Sequence, residues 1–535
     1  MENKKIHTPD EVFEKFLSWF EFKKRLAFLT ALIVGFITHI NMITDLIMSQ
    51  DGLWNSVQYF KPGNWEITLG RWGIVLMQRL NNFIAIPNLT TVSCILIMSV
   101  VAVILTDLFD LKSKISIVIS SCLVVVTPSF LVTLLYVYTA LSYCMCMLFS
   151  CLAIWAIYKI KNKKTSYIFS AIFFILSLSI YQSYAGLAIG LFLMIQIIKL
   201  MKKETTIKEV FLNILKTGIL FLVAGIIYLI ITKIILYVFV LDMAEYKNAN
   251  SFNLLSTLIN FKNSVTSAYK DFMAFFFRDR IVYNTNYRRE LFYLLFFISS
   301  LVMIIINFIK TPFKSKKEKV SVAITVFVLL LTIPLALNII DLVMGESQIY
   351  VLTAGQMIAV IPFILALVEN IEKYNLLKWA MVLSLLCIIG TYYIADNASY
   401  TALKLTYNQA YTVTERLINR IEETPGYKRE YPIVLGGIIG NTNFPRTSNI
   451  YDFTIGNVVN NTTFHGTYGG QLGTWISFVK IFFGQDIVPV NEGVYFDVIT
   501  SEEYKNMGKF PEENSIIIRD GIIIVKLNDD PPLPF

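Results

Sequence analysis

Residues 89–109 read LTTVSCILIMSVVAVILTDLF, and residues 115–135, which follow after a short break, read ISIVISSCLVVVTPSFLVTLL. Asp107 is the one charged side chain in these two blocks. An α-helix needs about 20 apolar residues to cross the roughly 30 Å of hydrocarbon in a bilayer. Each block therefore predicts one membrane-spanning helix.

Similar blocks recur along the whole chain of 535 residues. Hydrophobic residues make up 55% of the sequence and charged residues 16%, with a mean hydropathy of +0.60, whereas soluble proteins carry about 25% charged residues. The sequence predicts an α-helical multi-pass membrane protein with about eleven transmembrane helices. The predicted spans lie near residues 26–46, 89–109, 115–135, 138–158, 166–181, 184–201, 217–240, 291–309, 320–342, 351–370 and 377–395. A soluble metabolic enzyme, a secreted disulfide scaffold and a DNA-binding domain are excluded.

Cysteine and histidine usage gives no sign of a metal cofactor. All six cysteines lie in apolar blocks, where a thiol behaves as a small hydrophobe. The chain has three histidines, and no spacing matches a zinc or redox pair. We expect no protein-bound cofactor, and the sequence leaves the use of a divalent cation open.

Lysine and arginine predict the orientation of the spans, because short loops rich in these residues stay in the cytoplasm. They cluster at the N-terminus and in alternate loops, near residues 112–114, 159–164, 199–208, 310–319 and 373–378. An odd number of spans places every cluster on one face. We therefore expect a cell membrane protein, in the plasma or inner membrane, with a cytoplasmic N-terminus. The net charge of +8 is then a topology signal, and no nucleic acid partner is expected.

The same span count assigns three long segments to the outer face, namely 47–88, 242–290 and everything after residue 395. We predict two domains, a transmembrane domain over 1–395 and an extracytoplasmic α/β domain over 396–535. Residues 398–424 have a polar helical pattern, and residues 431–435 resemble a strand. Asp520-Gly521 lies between two β-branched runs, which predicts a β-hairpin.

Asp45 lies at the end of the first predicted span, and Asp51 follows this span. Asp51 precedes Gly52, so one interpretation is that it merely caps a short helix. In the same loop, residues 66–84 carry an apolar stripe at three- and four-residue steps, which predicts an interfacial helix. A helix that only rests on the membrane explains the stripe, but it does not explain Arg71 among these residues.

Basic side chains in the second outer segment are candidates for binding a phosphate. Arg278 and Arg280 lie between aromatic residues in FFFRDRIVY, and a guanidinium forks well onto phosphate oxygens. Lys233 lies in the outer half of the seventh predicted span. A charge there is costly unless it reaches the interface or pairs, so it either snorkels or contacts a phosphate or carboxylate.

The order of these features resembles the GT-C class of membrane glycosyltransferases, which use polyprenyl-phosphate sugars. It is most similar to the bacterial and phage glucosyltransferases of the Gtr type-II family, which decorate O antigen and other surface glycans. The resemblance rests on Gln50-Asp51, Gly70-Arg71-Trp72, Ser179-Ile-Tyr-Gln182, and the closing pattern from Met507-Gly-Lys-Phe-Pro511 to Ser515-Ile-Ile-Ile-Arg-Asp-Gly-Ile-Ile-Ile-Val-Lys526. Many relatives show paired acids where this chain has Gln50-Asp51.

This resemblance implies an inverting glycosyltransferase that moves glucose, or a similar hexose, from a polyprenyl-phosphate carrier to a nascent surface polysaccharide or glycolipid. Asp51 would be the general base. The expected substrate-binding residues are Asp45, Trp54, Arg71, Trp72, Gln182, Lys233, Arg278 and Arg280. The alternatives are a transporter or flippase of lipid-linked sugars, and a polysaccharide polymerase or ligase. The polar residues gather near the outer surface and not at the bilayer midplane, which favours an enzyme over a transporter.

Overall fold

The computed structural model describes residues 8–55, 58–244, 260–277, 287–344, 351–437, 448–455 and 468–529. Among these residues, ten helices are long and apolar enough to cross a membrane. They are Pro87–Leu108, Lys114–Leu135, Val137–Lys159, Lys163–Ile180, Gln182–Met201, Ile207–Phe239, Arg289–Lys310, Lys316–Leu337, Val351–Val368 and Asn375–Glu422. They coincide with the second to eleventh predicted spans, which confirms a multi-pass helical membrane protein.

The helices are numbered in chain order. The first six are α1 (Pro9–Trp19), α2 (Phe22–Thr38), α3 (Ile40–Thr44), α4 (Gln50–Asn55), α5 (Asn64–Thr68) and α6 (Gly73–Arg79). The first long spans are α7 (Pro87–Leu108), α8 (Lys114–Val126) with α9 (Pro128–Leu135), α10 (Val137–Lys159), α11 (Lys163–Ile180), α12 (Ala185–Met201) and α13 (Ile207–Phe239). Then follow α14 (Phe261–Phe277), α15 (Tyr287–Lys310), α16 (Lys316–Leu337), α17 (Ile339–Met344), α18 (Val360–Val368) and α19 (Asn375–Glu422). The last helices are α20 (Tyr468–Phe483), α21 (Glu492–Thr500) and α22 (Glu502–Asn506).

The first predicted span, 26–46, is two helices instead of one. The helix α2 ends at Thr38, and α3 begins at Ile40. Between them the His39 ring reaches across the bundle, with Nε2 2.7 Å from the Val125 carbonyl oxygen and Nδ1 2.7 Å from the Tyr400 hydroxyl. The helix α2 packs between α7 and α8, and Gly35 allows it to approach Ile95 closely. This pair of helices is therefore part of the bundle, although it is interrupted.

The lysine-rich loops meet at one end of the bundle, here called the basic end. At this end Asp107 lies between Lys24 (3.7 Å) and Lys159 (3.2 Å). The Glu369 carboxylate accepts hydrogen bonds from the backbone N–H groups of Lys112 and Ser113. The alternating pattern of lysines thus corresponds to loops that are close in space, and which compartment the basic end faces stays a prediction.

The last long helix, α19, extends far beyond the length of one membrane span. Its 48 residues would measure about 72 Å at 1.5 Å per residue, more than twice the roughly 30 Å of a hydrocarbon core. The predicted polar helix 398–424 is the second half of α19. The domain boundary expected after residue 395 therefore falls inside a continuous helix, and the division into two domains stays a prediction.

A small three-stranded sheet follows α19. The strands are β1 (Ile433–Gly436), β2 (Ile516–Arg519) and β3 (Ile522–Lys526), in the order β1-β3-β2. Strand β1 pairs with β3 in parallel, and β2 pairs with β3 as an antiparallel hairpin. Asp520 and Gly521 in the turn both have positive φ, 50° and 73°, as a type I′ turn requires. The predicted hairpin is confirmed.

Candidate active site

The helix that carries Asp51 is fastened to the corner between α9 and α10. The Ser49 backbone N–H and the Ser49 hydroxyl both donate to the Leu135 carbonyl oxygen, at 3.0 Å each. A Cβ on Gly52 would lie 3.0 Å from this same oxygen, so the approach needs glycine. The corner is where helical geometry stops, because Tyr136 has φ −87° and ψ 60°. The carboxylate of Asp51 is thus held beside Tyr136.

The Asp51 carboxyl is half-buried and bonded to tyrosine. Burial raises the pKa of the Asp51 carboxyl, and a hydrogen bond from the Tyr136 hydroxyl partly offsets this increase. A partly desolvated carboxylate that accepts one hydrogen bond, here from Tyr136, can still accept a proton from a second donor. This is the arrangement that a general base requires.

The sequence predicted one continuous interfacial helix over 66–84. This prediction is wrong, because the chain turns at Gly70 and forms two short helices, α5 and α6. Gly70 has φ +72°, and a Cβ there would lie 2.5 Å from the Tyr228 hydroxyl oxygen. This hydroxyl donates to the Gly70 carbonyl oxygen at 3.1 Å. The amide of Gln182 donates to the Leu69 carbonyl oxygen and to Tyr228, at 2.9 Å each. Gln182 therefore holds the turn in place.

This turn presents Arg71. The Arg71 guanidinium lies 4.5 Å from the centre of the Tyr181 ring, and its Nε is buried with no hydrogen-bond partner in the described part of the chain. The next residue, Trp72, is fixed by its indole N–H, which donates to the Thr232 hydroxyl at 3.1 Å. Arg71 is thus a partly buried cation stacked on an aromatic ring, and no carboxylate among the described residues forms an ion pair with it.

Four tyrosines lie between Asp51 and Arg71, here called the tyrosine cluster. Its members are Tyr136, Tyr138, Tyr143 and Tyr181. The ring centres of Tyr143 and Tyr181 are 4.9 Å apart, and those of Tyr136 and Tyr138 are 6.3 Å apart. Tyr136 interacts electrostatically with Asp51, Tyr143 and Tyr181, and Arg71 interacts with Tyr143. The acid and the cation therefore interact with the same tyrosine cluster.

Sequence reasoning missed both the tyrosine cluster and Glu66. Three of the tyrosines lie at the start of α10 or just before it, in a stretch that looks like ordinary apolar core. Glu66 interacts electrostatically with Tyr138 and Tyr143, and its carboxylate accepts a hydrogen bond from the Gly63 N–H at 2.8 Å. The sequence could have indicated Glu66 as a site residue, because this acid lies one helical turn before Gly70-Arg71-Trp72.

The other predicted site residues are spread more widely. Asp45 forms an ion pair with Lys404 of α19 at 3.0 Å. Trp54 is half-exposed, and its indole nitrogen would lie 3.0 Å from a Cβ on Gly473 of α20. Lys233 is exposed on α13, next to the Thr232 that binds Trp72. The predicted Arg278 and Arg280 lie outside the described residues.

No group of three or more His, Cys, Asp or Glu side chains that could hold a metal ion occurs within the described ranges. The arrangement of Asp51, the tyrosine cluster and Arg71 offers instead one proton acceptor, an aromatic surface and one cation. These are the groups needed to bind a sugar phosphate and to activate a hydroxyl.

A comparison with protein families gives a match to the family model Glucosyl transferase GtrII over residues 55–364. The matched region includes Arg71, Trp72, Gln182 and the tyrosine cluster, and it begins four residues after Asp51. No curated protein matches the chain, and no solved structure matches it. Because the match covers more than half of the chain, this multi-pass membrane protein belongs to the GtrII glucosyl transferase family.

Proposed function

We propose that this glucosyltransferase takes glucose, or a similar hexose, from a polyprenyl-phosphate carrier and attaches it to a nascent polysaccharide or glycolipid at the outer face of the cell membrane. The observation that carries the proposal is the placement of Asp51 and Arg71 at the same tyrosine cluster. A carboxylate and an unpaired guanidinium beside one aromatic cluster suit a sugar phosphate. A flat aromatic wall suits the apolar face of a hexose ring.

In the proposed reaction, an acceptor hydroxyl attacks the anomeric carbon of the sugar while Asp51 takes the hydroxyl proton. The bond between the anomeric carbon and the phosphate oxygen breaks, and its electrons leave with the phosphate. Arg71 neutralises the charge that develops there. Direct displacement inverts the anomeric centre and needs one carboxylate, so no covalent enzyme intermediate forms.

The remaining predicted site residues have supporting roles in this proposal. Gln182 and Trp72 hold the turn that presents Arg71, through Leu69, Tyr228 and Thr232. Trp54 offers a half-exposed ring three residues after Asp51, where an acceptor sugar could stack. Asp45 anchors its segment to α19. Contacts of Lys233, Arg278 and Arg280 with the donor phosphate stay predictions from the sequence.

The test is the transfer of radiolabelled glucose from polyprenyl-phosphate glucose into surface polysaccharide in membranes. Asp51→Asn keeps the size of the side chain and removes the base. We expect a loss of at least about a hundredfold in transfer rate, with unchanged expression and membrane insertion. Full activity of Asp51→Asn would overturn the assignment of the base. Movement of the lipid-linked sugar across the bilayer, without transfer by the wild type, would instead indicate a transporter.

A further inference from the structure

A cleft far along the chain from the tyrosine cluster lies where α19 ends against the sheet. It is a shallow cleft, open to solvent, with a volume of about 30 Å³. Isoleucines form its floor, among them Ile433 of β1 and Ile523 of β3, which are partners in the parallel pair. Polar and aromatic side chains form its rim. None of these residues has a role in the proposed reaction.

The walls of this cleft are fixed by hydrogen bonds. Ile433 donates its backbone N–H to the Val488 carbonyl oxygen at 2.9 Å and accepts from the Val490 N–H at 3.2 Å. At the rim, the Gln485 amide donates to the Glu422 carboxylate at 3.3 Å. The cleft is therefore a preformed feature of the sheet and of the end of α19.

The rim has the chemistry that recognises a neutral sugar chain. Tyr427 and Tyr431 are half-buried rings at the opening, which suit the apolar faces of sugar rings. The carboxylate of Glu422, the amide of Gln485 and the guanidinium of Arg429 can accept from and donate to hydroxyl groups. The lining carries one cation, Arg429, and two carboxylates, Glu422 and Asp486, which disfavours a phosphate or another anion.

The helix α20 connects this cleft with the neighbourhood of Asp51. Gly473 of α20 contacts Trp54, three residues after Asp51. The helix ends at Phe483, and two residues later Gln485 lines the cleft. The rise from Gly473 to Phe483 is about 15 Å at 1.5 Å per residue. A ligand that reaches from the cleft to the active site must therefore be an extended chain.

We propose that this cleft binds the acceptor glycan at sugar units remote from the hydroxyl that receives the glucose. The inference rests on the proposed glucosyl transfer. It implies that the acceptor is a polymer and not a single sugar, and that Tyr427 and Tyr431 contribute to its binding. The cleft provides affinity for the chain, and the tyrosine cluster provides the chemistry.

The experiment compares two size fractions of surface polysaccharide, long chains and single repeating units, as acceptors for radiolabelled glucose. In Tyr427→Ala and Tyr431→Ala, we expect the KM for long chains to rise about tenfold, because a stacked ring contributes about one factor of ten in affinity. The KM for single units and for the lipid donor should not change. Tyr431→Phe keeps the ring and should keep the KM. Phe496→Ala removes an exposed aromatic side chain from α21, outside the cleft, and serves as the matched control.

A second measurement separates this inference from the proposed function. Retention of the full-length protein in detergent on immobilised long-chain polysaccharide reports binding without any transfer. If the wild type is retained but transfers no glucose, and Tyr431→Ala is not retained, the cleft is supported and the proposed glucosyl transfer is rejected. Transfer by the wild type with an unchanged KM and unchanged retention in both tyrosine-to-alanine variants would reject the cleft.

Discussion

The hydrogen bond between Tyr136 and Asp51 makes the pH dependence of transfer a test of the base at the residue scale. A general base works only when it is deprotonated, so the rate falls as the pH drops below its pKa. Burial raises the pKa of Asp51, and the Tyr136 hydroxyl lowers it. In Tyr136→Phe the lowering contribution is lost, so the acid limb of the pH–rate profile should move to higher pH.

The matched control for this shift is Tyr138→Phe. Tyr138 interacts with Asp51 electrostatically, but Asp51 receives its side-chain hydrogen bond from Tyr136. A structural defect would lower the rate at every pH, whereas loss of the hydrogen bond moves the limb and leaves the plateau near the wild-type rate. An acid limb at the same pH in both variants would contradict the role of Tyr136.

Arg71 should contribute mainly to binding of the lipid donor. A charge-assisted contact with phosphate is worth about 1.5–3 kcal/mol, so Arg71→Ala should raise the KM for the donor about tenfold or more. Arg71→Lys keeps the charge and loses the planar fork, so it should fall between the wild type and the alanine variant. Arg79→Ala changes an exposed arginine of the same loop and is the control. An unchanged donor KM in Arg71→Ala would remove the phosphate assignment.

At the scale of elements, the turn between α5 and α6 determines where Arg71 lies. Gly70 has φ +72°, and a side chain there would collide with the Tyr228 hydroxyl. A left-handed conformation costs a non-glycine residue about 1–2 kcal/mol, so Gly70→Ala should shift the turn, lower transfer and reduce the thermal unfolding temperature. Gly63→Ala is the control, because no atom lies within 4 Å of a Cβ at that position. Equal effects of the two substitutions on transfer would show that the turn does not position Arg71.

The elements also show what the sequence could predict. Ten spans and the Asp520-Gly521 hairpin follow from local patterns, hydropathy over about 20 residues and a two-residue turn signal, and both are confirmed. The interruption at His39 and the turn at Gly70 depend on partners far along the chain, Val125 and Tyr228. A periodicity in one segment carries no information about such partners, so continuous helices were expected at both places.

At the scale of the whole molecule, the N-terminal segment that carries Asp51 packs against helices from the C-terminal part of the chain. The Tyr407 hydroxyl of α19 donates to the Met48 carbonyl oxygen at 3.0 Å, and Lys404 pairs with Asp45. Gly473 of α20 contacts Trp54. Single acidic and basic residues of this site were predictable as candidates. Their assembly with tyrosines from α10 was not, because it requires helix packing across the bundle.

The orientation of the whole molecule follows from the basic end, and it can be measured directly. Positive loops stay in the cytoplasm, so the opposite end, with Asp51 and the residues after α19, should face outward. Cys387 is the one exposed native cysteine. The Cys387→Ser variant is therefore the parent protein into which single cysteines are introduced for labelling. An impermeant maleimide added to intact cells should then label Phe453→Cys, which is exposed beyond α19, and should not label Lys161→Cys at the basic end. The reverse labelling pattern would place the candidate active site on the cytoplasmic face. It would therefore contradict the proposed transfer at the outer face.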